Sequence, residues 1–200
     1  MEMAYGTLVL RVPDSVYPPA EDSFMLADAA AKLRGEVLEI GCGSGIASLS
    51  AAKAGCKVLG VDINPEAVEC AKENAKRNGI TNAEFARSDL FSTVPKSKKF
   101  DGIVFNPPYL PTSKEERVGG NLNHAFDGGA DGRAVLDRFL AEFNRHLKPG
   151  GVLLLVQSSL NDQEKTEAAL RSLGYKTEVA ARENFFFERL FLIRAEKPQL

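Results

Sequence analysis

A strand, a glycine-rich turn and a helix follow one another early in the chain, and this succession constrains the fold more than any other feature. The run Glu36–Ile40 is mostly apolar, and Gly41, Gly43 and Gly45 occupy alternate positions directly after it. The helical pattern Ile46–Ala54 begins at once. Glycine permits positive φ angles and lets a ligand lie against bare backbone at a helix N-terminus. The segment therefore predicts a parallel α/β unit with a ligand-binding turn.

Acidic residues on either side of the turn indicate which kind of ligand it binds. Glu39 lies just before Gly41, and the Gly-x-x-Gly spacing of nicotinamide dehydrogenases is absent. Asp62 closes the next apolar strand, Lys57–Val61, about 20 residues after the glycines, where a ribose-hydroxyl acceptor is expected. This arrangement favours a nucleoside cofactor with a sulfonium amino-acid tail over a dinucleotide. A plain turn residue is the alternative for Asp62.

A further acidic residue follows the third predicted strand. Asn64 and Pro65 cap and start a helix that runs to Asn78. The short strand Ala83–Ala86 comes next, and Asp89 lies just beyond it. Asp89 is placed to accept a hydrogen bond from an exocyclic amine such as that of adenine, although an aspartate in this position is more often structural.

A rigid polar turn, Asn106-Pro107-Pro108-Tyr109, ends the apolar strand Gly102–Phe105. Proline cannot donate to a sheet ladder, so two in succession stop the strand. Each proline also confines the preceding residue to extended geometry, and the Asn106 side chain and the first carbonyls therefore project in fixed directions. Open α/β sheets bind their ligands at this end of their strands. The turn is predicted to contact a ligand, with a purely structural loop as the alternative.

Together these elements resemble, in order and spacing, the class I S-adenosylmethionine-dependent methyltransferases. The Asn-Pro-Pro-Tyr variant is similar to the branch that methylates planar amino groups, which are glutamine amides or the exocyclic amines of adenine and cytosine. Tyr17–Ser23, which reads Tyr-Pro-Pro-Ala-Glu-Asp-Ser, is similar to the segment that opens HemK-type protein-glutamine methyltransferases. Ala125–Arg133 is similar to their Gly-Gly-x-x-Gly-Arg stretch. The resemblance spans residues 17–156.

The resemblance implies a fold as well as a cofactor. We expect an α/β, Rossmann-like sheet of seven strands in the order 3-2-1-4-5-7-6, with helices on both faces. The last strand is expected to be antiparallel, because the short connection before it cannot make a right-handed crossover. The glycine strand and the strand before the Asn-Pro-Pro-Tyr turn should be neighbours, at the point where the strand order reverses.

S-adenosylmethionine is the implied cofactor, and the resemblance assigns its contacts residue by residue. The predicted cofactor-binding residues are Ser23, Glu39, Gly41, Gly43, Gly45, Asp62, Asp89, Leu90 and Asn106. Asn106, Pro107 and Tyr109 are predicted to be catalytic, and all four residues of the Asn106–Tyr109 turn to bind substrate. The Asn106 side-chain oxygen and the Pro107 carbonyl would accept both N–H groups of the target nitrogen.

The resemblance also points to a substrate and a partner. Only 35 residues precede the glycine strand, too few for the helical domain of bacterial release-factor glutamine methyltransferases. The chain therefore resembles the short archaeal and eukaryotic branch, which methylates the glutamine of a Gly-Gly-Gln loop in a translation release factor. That branch works with a small zinc-binding activator protein. We expect a heterodimer in which the activator extends the sheet at Ala83–Ala86.

Length, composition and charge limit which other classes of protein the chain can belong to. Residues 1–200 are predicted to form a single domain, of which 1–35 are an N-terminal segment and helix. No apolar run is long enough to span a membrane and no signal pattern is present, so a cytoplasmic location is expected. A net charge of −2 gives no basic field for nucleic acid. The spacing of three cysteines and two histidines supports no metal site.

Other acceptors remain open at this stage. The same Asn-Pro-Pro-Tyr turn could hold a flipped adenine or cytosine of RNA or DNA. A lysine acceptor on another protein, or a member that binds cofactor without catalysis, is also an alternative.

The remaining segments are placed by periodicity and turn residues. The polar stretch Pro111–Asn123 is predicted to be a substrate lid, and His124 beside it a solvated loop residue. Phe185-Phe186-Phe187 is predicted to pack in the core or in a hairpin. Helices are predicted at Ala20–Leu33, Arg133–Leu147 and Asp162–Leu173, and strands at Val152–Val156, Tyr175–Ala181 and Glu188–Ile193.

Overall fold

The computed structural model describes residues 1–110 and 127–199. The predicted substrate lid, His124, and Ala125 and Phe126 at the start of the segment Ala125–Arg133 lie outside the described residues.

Strands make up the centre of the described part of the chain. In chain order they are β1 (Glu2–Tyr5), β2 (Leu8–Arg11), β3 (Glu36–Ile40), β4 (Lys57–Asp62), β5 (Ala83–Arg87), β6 (Phe100–Phe105), β7 (Leu147–Ser158), β8 (Lys176–Asn184) and β9 (Arg189–Glu196). Strands β3 to β9 form one seven-stranded sheet in the order β5-β4-β3-β6-β7-β9-β8. Numbered within the sheet, this is the predicted order 3-2-1-4-5-7-6. Strand β9 is antiparallel to both of its neighbours, and the other pairings are parallel. The predicted fold class is confirmed.

The strand order reverses beside β3, which carries the glycine turn. Strand β3 pairs in parallel with β4 on one side and β6 on the other. Val37, Leu38 and Ile40 are buried, as are Ile103 and Val104 of β6. Such continuous apolar runs suit strands that are covered on both faces. Because the chain leaves β3 and β6 at the same edge of the sheet, the glycine turn and the Asn-Pro-Pro-Tyr turn lie side by side there.

Helices cover both faces of the sheet. They are α1 (Glu21–Ala30), α2 (Ile46–Lys53), α3 (Pro65–Arg77), α4 (Ala134–Glu142) and α5 (Gln163–Ser172). The first three contribute Ala27, Leu49 and Ala71 to one apolar core, and the last two contribute Phe139 and Leu170 to a second. None of the helices in the described ranges combines the length and apolarity that a membrane crossing needs.

The first residues form a hairpin that the sequence analysis did not predict. Strands β1 and β2 pair antiparallel, and Leu8 and Leu10 point into the core. The backbone N–H of Arg11 donates to Asn74 Oδ1 on α3 at 2.9 Å, and Asn78 binds Val9 in the same way. The predicted N-terminal segment over 1–35 is therefore a hairpin followed by a helix. Four-residue strands give too short an alternation to be recognised.

Three other predictions differ from the structure. Helix α4 ends at Glu142 and continues as a 3-10 turn over Phe143–His146, so it is shorter than predicted. Strand β7 runs over Leu147–Ser158 and so begins well before the predicted Val152 and ends beyond the predicted Val156. The Phe185-Phe186-Phe187 run lies at the tip of the β8–β9 hairpin, and none of its rings is buried in the core.

Candidate active site

The glycine turn holds its backbone in a conformation that favours glycine. Gly41, Gly43 and Gly45 have φ angles of 66°, 51° and 84°, in the left-handed region that side chains disfavour. At Gly43 an added Cβ would meet no neighbouring atom, so the requirement there is conformational. At Gly45, which caps α2, a Cβ would come within 3.0 Å of Ala71 on α3. The turn can therefore present bare backbone to a ligand.

Asp62 and Leu90 lie beside this turn, at the ends of the next strands. The Asp62 carboxylate accepts the Gly43 N–H at 2.9 Å and the Asn64 N–H at 2.9 Å. Leu90 has a φ of 48°, an uncommon value for a residue with a side chain. Its carbonyl accepts from the Ser88 hydroxyl at 2.8 Å, which helps to hold this conformation. Backbone strain of this kind is concentrated at functional sites.

Asp89, the predicted adenine contact, is partly exposed and forms an ion pair. Its side chain is 45% accessible, and Oδ2 accepts from Arg138 Nη2 of α4 at 2.8 Å. This pair crosses the opening between β5 and α4. Asp89 keeps one carboxylate oxygen that the Arg138 bond does not use.

Glu39 is buried and holds the first turn of α2. Its Oε2 accepts from the Ser48 N–H at 2.8 Å and also from the Ser48 hydroxyl. Burial raises the pKa of Glu39 to about 8, and the nearby Asp62 charge adds to this, although the Ser48 bonds oppose the shift. Without a cation beside it, Glu39 is thus largely protonated at neutral pH. The ammonium group of an amino-acid tail would reverse this by favouring the carboxylate.

The raised pKa of Glu39 predicts a pH dependence of stability. The pKa of Glu39 in the folded state lies above its ordinary value of 4.5. The contribution of Glu39 to the free energy of unfolding is therefore complete below pH 4.5. It is lost as pH rises through about 8. Glu39→Gln keeps an acceptor for Ser48 and cannot ionise. We expect urea unfolding from pH 5 to 9 to show that the free energy of unfolding of the variant rises relative to that of wild type. The difference should grow by ~1 kcal/mol per pH unit up to pH 8. A difference that does not change with pH would contradict this explanation.

A network centred on Asp22 fixes the side chain of Asn106. Asp22 is the second residue of α1 and is 3% exposed. Its Oδ2 accepts from Asn106 Nδ2 at 2.9 Å and from the Tyr109 hydroxyl at 3.4 Å. Its Oδ1 accepts from the Ser23 N–H at 2.6 Å, and the Tyr17 hydroxyl lies 3.3 Å from both oxygens. Burial, and next the Asp22 charge, raise the pKa of Tyr17 and of Tyr109. Both phenols therefore remain protonated donors.

This network determines which atom Asn106 offers to a ligand. Because Nδ2 donates to Asp22, the amide orientation is set, and Oδ1 is the free acceptor. Asn106 Oδ1 is buried and accepts no hydrogen bond from the part of the chain that the structure describes. A buried acceptor without a partner carries a cost of about 1–3 kcal/mol, which a donor from a bound ligand would remove.

The Gly-Gly-x-x-Gly-Arg stretch supports the Asn-Pro-Pro-Tyr turn from behind. Gly132 packs so closely that a Cβ would overlap the Tyr109 carbonyl oxygen. The Gly128 N–H donates to the Leu110 carbonyl at 3.0 Å. The Arg133 guanidinium is buried and donates to the Asn161 carbonyl at 2.6 Å, which ties the start of α4 to the loop after β7.

The predicted site residues surround one cavity of about 550 Å³. This volume is in the range of small-molecule sites. The predicted residues that line it are Ser23, Glu39, Gly41, Gly43, Asp62, Asp89, Leu90, Asn106, Pro107, Pro108 and Tyr109. Gly45 is the exception, since it packs against α3. A larger cavity of about 870 Å³, between α1 and strands β7 to β9, is lined by none of the predicted residues.

Among the polar residues of this site that sequence reasoning missed are Tyr17, Asp22, Arg138 and Glu188. Asp22 lies in the quoted Tyr17–Ser23 motif, but an acid in the first turn of a helix is explained by the helix dipole alone. Arg138 and Glu188 carry no local signal, because only the tertiary fold brings them to the cavity.

Comparison with known proteins finds similarity to methyltransferases. Residues 21–187 match the family model described as "Methyltransferase small domain". A Methanocaldococcus jannaschii protein, provisionally named protein N5-glutamine methyltransferase, is 50% identical over 188 residues, covering 93% of this chain and 94% of that protein. Methyltransferase HEMK2 of Mus musculus is 36% identical, covering 96% of this chain and 95% of its own length.

A solved structure extends the comparison. The E. cuniculi Mtq2–Trm112 complex, described as responsible for methylation of the eRF1 translation termination factor, contains a chain with a TM-score of 0.71 and 27% identity. The match covers 92% of this chain and 99% of that chain. With the Asn-Pro-Pro-Tyr turn beside the glycine turn and relatives aligned over nearly their full length, the chain belongs to the small-domain methyltransferase family that includes HEMK2 and its protein-glutamine methyltransferase relatives.

Proposed function

We propose that the chain, acting over residues 1–200 as one domain, uses S-adenosylmethionine to methylate the side-chain amide nitrogen of a glutamine. The proposed acceptor is the glutamine of a Gly-Gly-Gln loop in a translation release factor. The observation that carries the proposal is the orientation of Asn106: its Nδ2 is held by Asp22, and its buried Oδ1 has no partner within residues 1–110 and 127–199. The name of the Methanocaldococcus jannaschii relative supports the choice of a glutamine, and the description of the E. cuniculi complex supports a translation termination factor as its carrier.

The residues around the cavity fit the proposed cofactor. S-adenosylmethionine supplies an electrophilic methyl group on a sulfonium sulfur. Asp62 would accept the ribose hydroxyls, while Leu90 and the free oxygen of Asp89 would contact the adenine. The glycine turn, Glu39 and Ser23 would hold the amino-acid end. The positive-φ glycines, and the buried Glu39 carboxyl that lines the cavity and would ionise beside an ammonium group, favour this placement.

The Asn-Pro-Pro-Tyr turn would orient the acceptor. An amide nitrogen is a weak nucleophile, because its lone pair is delocalised into the carbonyl. Asn106 Oδ1 and the Pro107 carbonyl would accept its two N–H groups and so aim the lone pair at the methyl group. These acceptors also stabilise the positive charge that develops on nitrogen. Tyr109 would form a wall against the planar amide, and the product loses its proton readily, so no general base is required.

Mass spectrometry tests the proposed acceptor. The chain would be incubated with a recombinant release factor and methyl-deuterated cofactor, followed by peptide mapping. We expect one labelled methyl group on the glutamine of the Gly-Gly-Gln loop. A release factor with glutamate in place of that glutamine is the matched control and should remain unlabelled. Label on a lysine, or on RNA or DNA added in parallel, would overturn the proposal in favour of that acceptor.

The cofactor assignment predicts a loss of affinity when Asp62 is removed. Asp62→Ala should weaken S-adenosylmethionine binding roughly 10- to 100-fold, because two ribose hydroxyls lose a charged acceptor. Asp28→Ala, an exposed position on the outer side of α1, is the control and should leave affinity unchanged. Titration calorimetry measures both. Unchanged affinity in Asp62→Ala, or NAD binding as tightly as S-adenosylmethionine, would contradict the assignment.

The sheet edge at β5 supports the proposal of an activator partner. Strand β5 is the outermost strand beyond β4. The Val58 N–H donates to the Asn82 carbonyl, and the Ser88 N–H donates to the Asp62 carbonyl. In a parallel ladder, alternate residues face the same neighbour. The backbone groups of residues 83, 85 and 87 therefore point away from β4, toward a strand that a partner could add.

We predict a one-to-one heterodimer with a small zinc-binding activator, more active and more soluble than the isolated chain. Arg87→Pro removes an outward N–H and should abolish the heterodimer in co-expression and size-exclusion chromatography. Arg87→Ala changes the same side chain, keeps the N–H and should retain the heterodimer. Full activity of the isolated chain, with no gain from activator, would refute the partner proposal alone.

A further inference from the structure

The tip of the β8–β9 hairpin exposes large apolar side chains. Phe186 and Phe187 are 93% and 88% accessible, and their rings meet edge to face at 4.6 Å. The tip is a defined turn, since the Phe185 N–H donates to the Glu188 carbonyl at 2.7 Å. Neighbouring exposed phenyl rings bring no folding benefit, and exposed apolar clusters mark interaction surfaces.

The hairpin tip belongs to the same edge of the sheet as the candidate active site. Strands β7 and β8 are both antiparallel to β9, so they run in the same direction, and β8 ends at the carboxyl edge. Glu188, which follows Phe187, lines the 550 Å³ cavity together with Tyr17 and Tyr109. The phenylalanine pair therefore stands at the mouth of the cavity that contains Asn106.

Glu188 offers a second unused acceptor at this mouth. Its Oε1 is buried and has no hydrogen-bond partner among the described residues. A carboxylate in this position accepts N–H groups and repels phosphates. Two apolar rings beside a carboxylate thus fit a protein segment, whose backbone supplies N–H donors and whose side chains supply apolar surface. A nucleic-acid backbone fits this arrangement poorly.

We propose that the hairpin tip, Phe185–Glu188, is the docking element for the protein substrate. Phe186 and Phe187 bury against apolar side chains of the release factor that lie outside the Gly-Gly-Gln loop, and Glu188 Oε1 accepts a backbone N–H of the segment that enters the cavity. The inference rests on the proposed function, because it takes the acceptor to be a side chain of a folded protein. It adds a determinant of substrate affinity that lies outside the Asn-Pro-Pro-Tyr turn.

Steady-state methylation of the release factor tests the docking element. The double variant Phe186→Ser/Phe187→Ser should raise KM for the release factor about tenfold or more, with kcat within threefold of wild type. A short peptide that contains only the Gly-Gly-Gln loop should show unchanged kcat/KM, because it does not reach the rings. The matched control is Leu173→Ser, which alters an exposed apolar residue at the end of α5.

Glu188 is tested separately by two substitutions. Glu188→Ala should raise KM about tenfold, and Glu188→Gln, which keeps an acceptor oxygen, should stay within threefold of wild type. Affinity for S-adenosylmethionine should not change in either variant. If glutamine were as poor as alanine at this position, the carboxylate would serve a cationic acceptor, and the assigned role would be wrong.

The outcomes separate the docking proposal from the proposed function. If wild type does not methylate the release factor, both fail. If wild type is active and the double variant keeps the wild-type KM, the docking proposal alone is overturned. Two outcomes with an unchanged KM would assign the rings to another partner and also overturn the docking proposal. In the first, the double variant no longer associates with the activator. In the second, wild type binds phosphatidylcholine–phosphatidylglycerol vesicles and the double variant does not. Thermal melting checks that the double variant is folded. We expect its melting temperature to match that of wild type, because both rings are highly exposed.

Discussion

Replacing Asn106 with alanine should reduce turnover by about two or more orders of magnitude while cofactor affinity stays within a few-fold of wild type. The expected loss is large because, in the proposed reaction, Asn106 Oδ1 is one of the two acceptors that aim the target nitrogen, and alanine removes it. Titration calorimetry and single-turnover methylation of the release factor separate binding from chemistry. A defect confined to KM would mean that Asn106 contributes only to binding.

Two further substitutions sharpen this result. Asn144→Ala is the matched control, since Asn144 accepts from the Tyr175 hydroxyl at 2.8 Å, remote from the cavity. It should leave turnover unchanged. Asn106→Asp preserves an acceptor and adds a negative charge. A shift of methylation toward a charged amine in this variant would agree with selection for a planar amide by the wild-type side chain.

The sheet was predictable because its strands carry strong local signals. The glycine turn after β3 and the prolines after β6 mark the carboxyl ends of two buried strands, and parallel topology then makes them neighbours. The antiparallel direction of β9 was predicted because the connection before it is too short for a right-handed crossover. The N-terminal hairpin was missed because each strand has four residues, and its stability comes from side chains of α3 that are far away in sequence.

The candidate site was predictable where a motif marks a backbone conformation, and not where it depends on tertiary contacts. Gly43 and Pro107 are distinguished by the geometry they impose. Asp22 is separated from Asn106 by 84 residues, and its partners Tyr17 and Tyr109 come from different segments. The phenylalanine run at 185–187 lies in a hairpin, one of the two predicted places, but its exposure was not predicted, because hydrophobicity alone does not distinguish buried from exposed apolar side chains.

The Asp22 network predicts that a change at position 22 can inactivate Asn106 without touching it. In Asp22→Asn one carboxylate oxygen becomes an NH₂ group. The Ser23 N–H, a backbone donor fixed by α1, keeps the remaining oxygen. The new NH₂ then faces Asn106 Nδ2, and two donors cannot bond. The Asn106 amide must flip, which turns Nδ2 toward the substrate and removes the acceptor.

We therefore expect Asp22→Asn to lower kcat about 100-fold with S-adenosylmethionine affinity unchanged, close to the effect of Asn106→Ala. Asp28→Asn, on the exposed side of the same helix, is the control and should be fully active. The decisive measurement is the double variant Asp22→Asn/Asn106→Ala. If Asp22 acts through the orientation of Asn106, the second substitution adds almost nothing to the first. If the reductions in kcat of the two single variants instead multiply in the double variant, Asp22 serves the reaction through a separate contact. The flip of the Asn106 amide would then be ruled out as the cause.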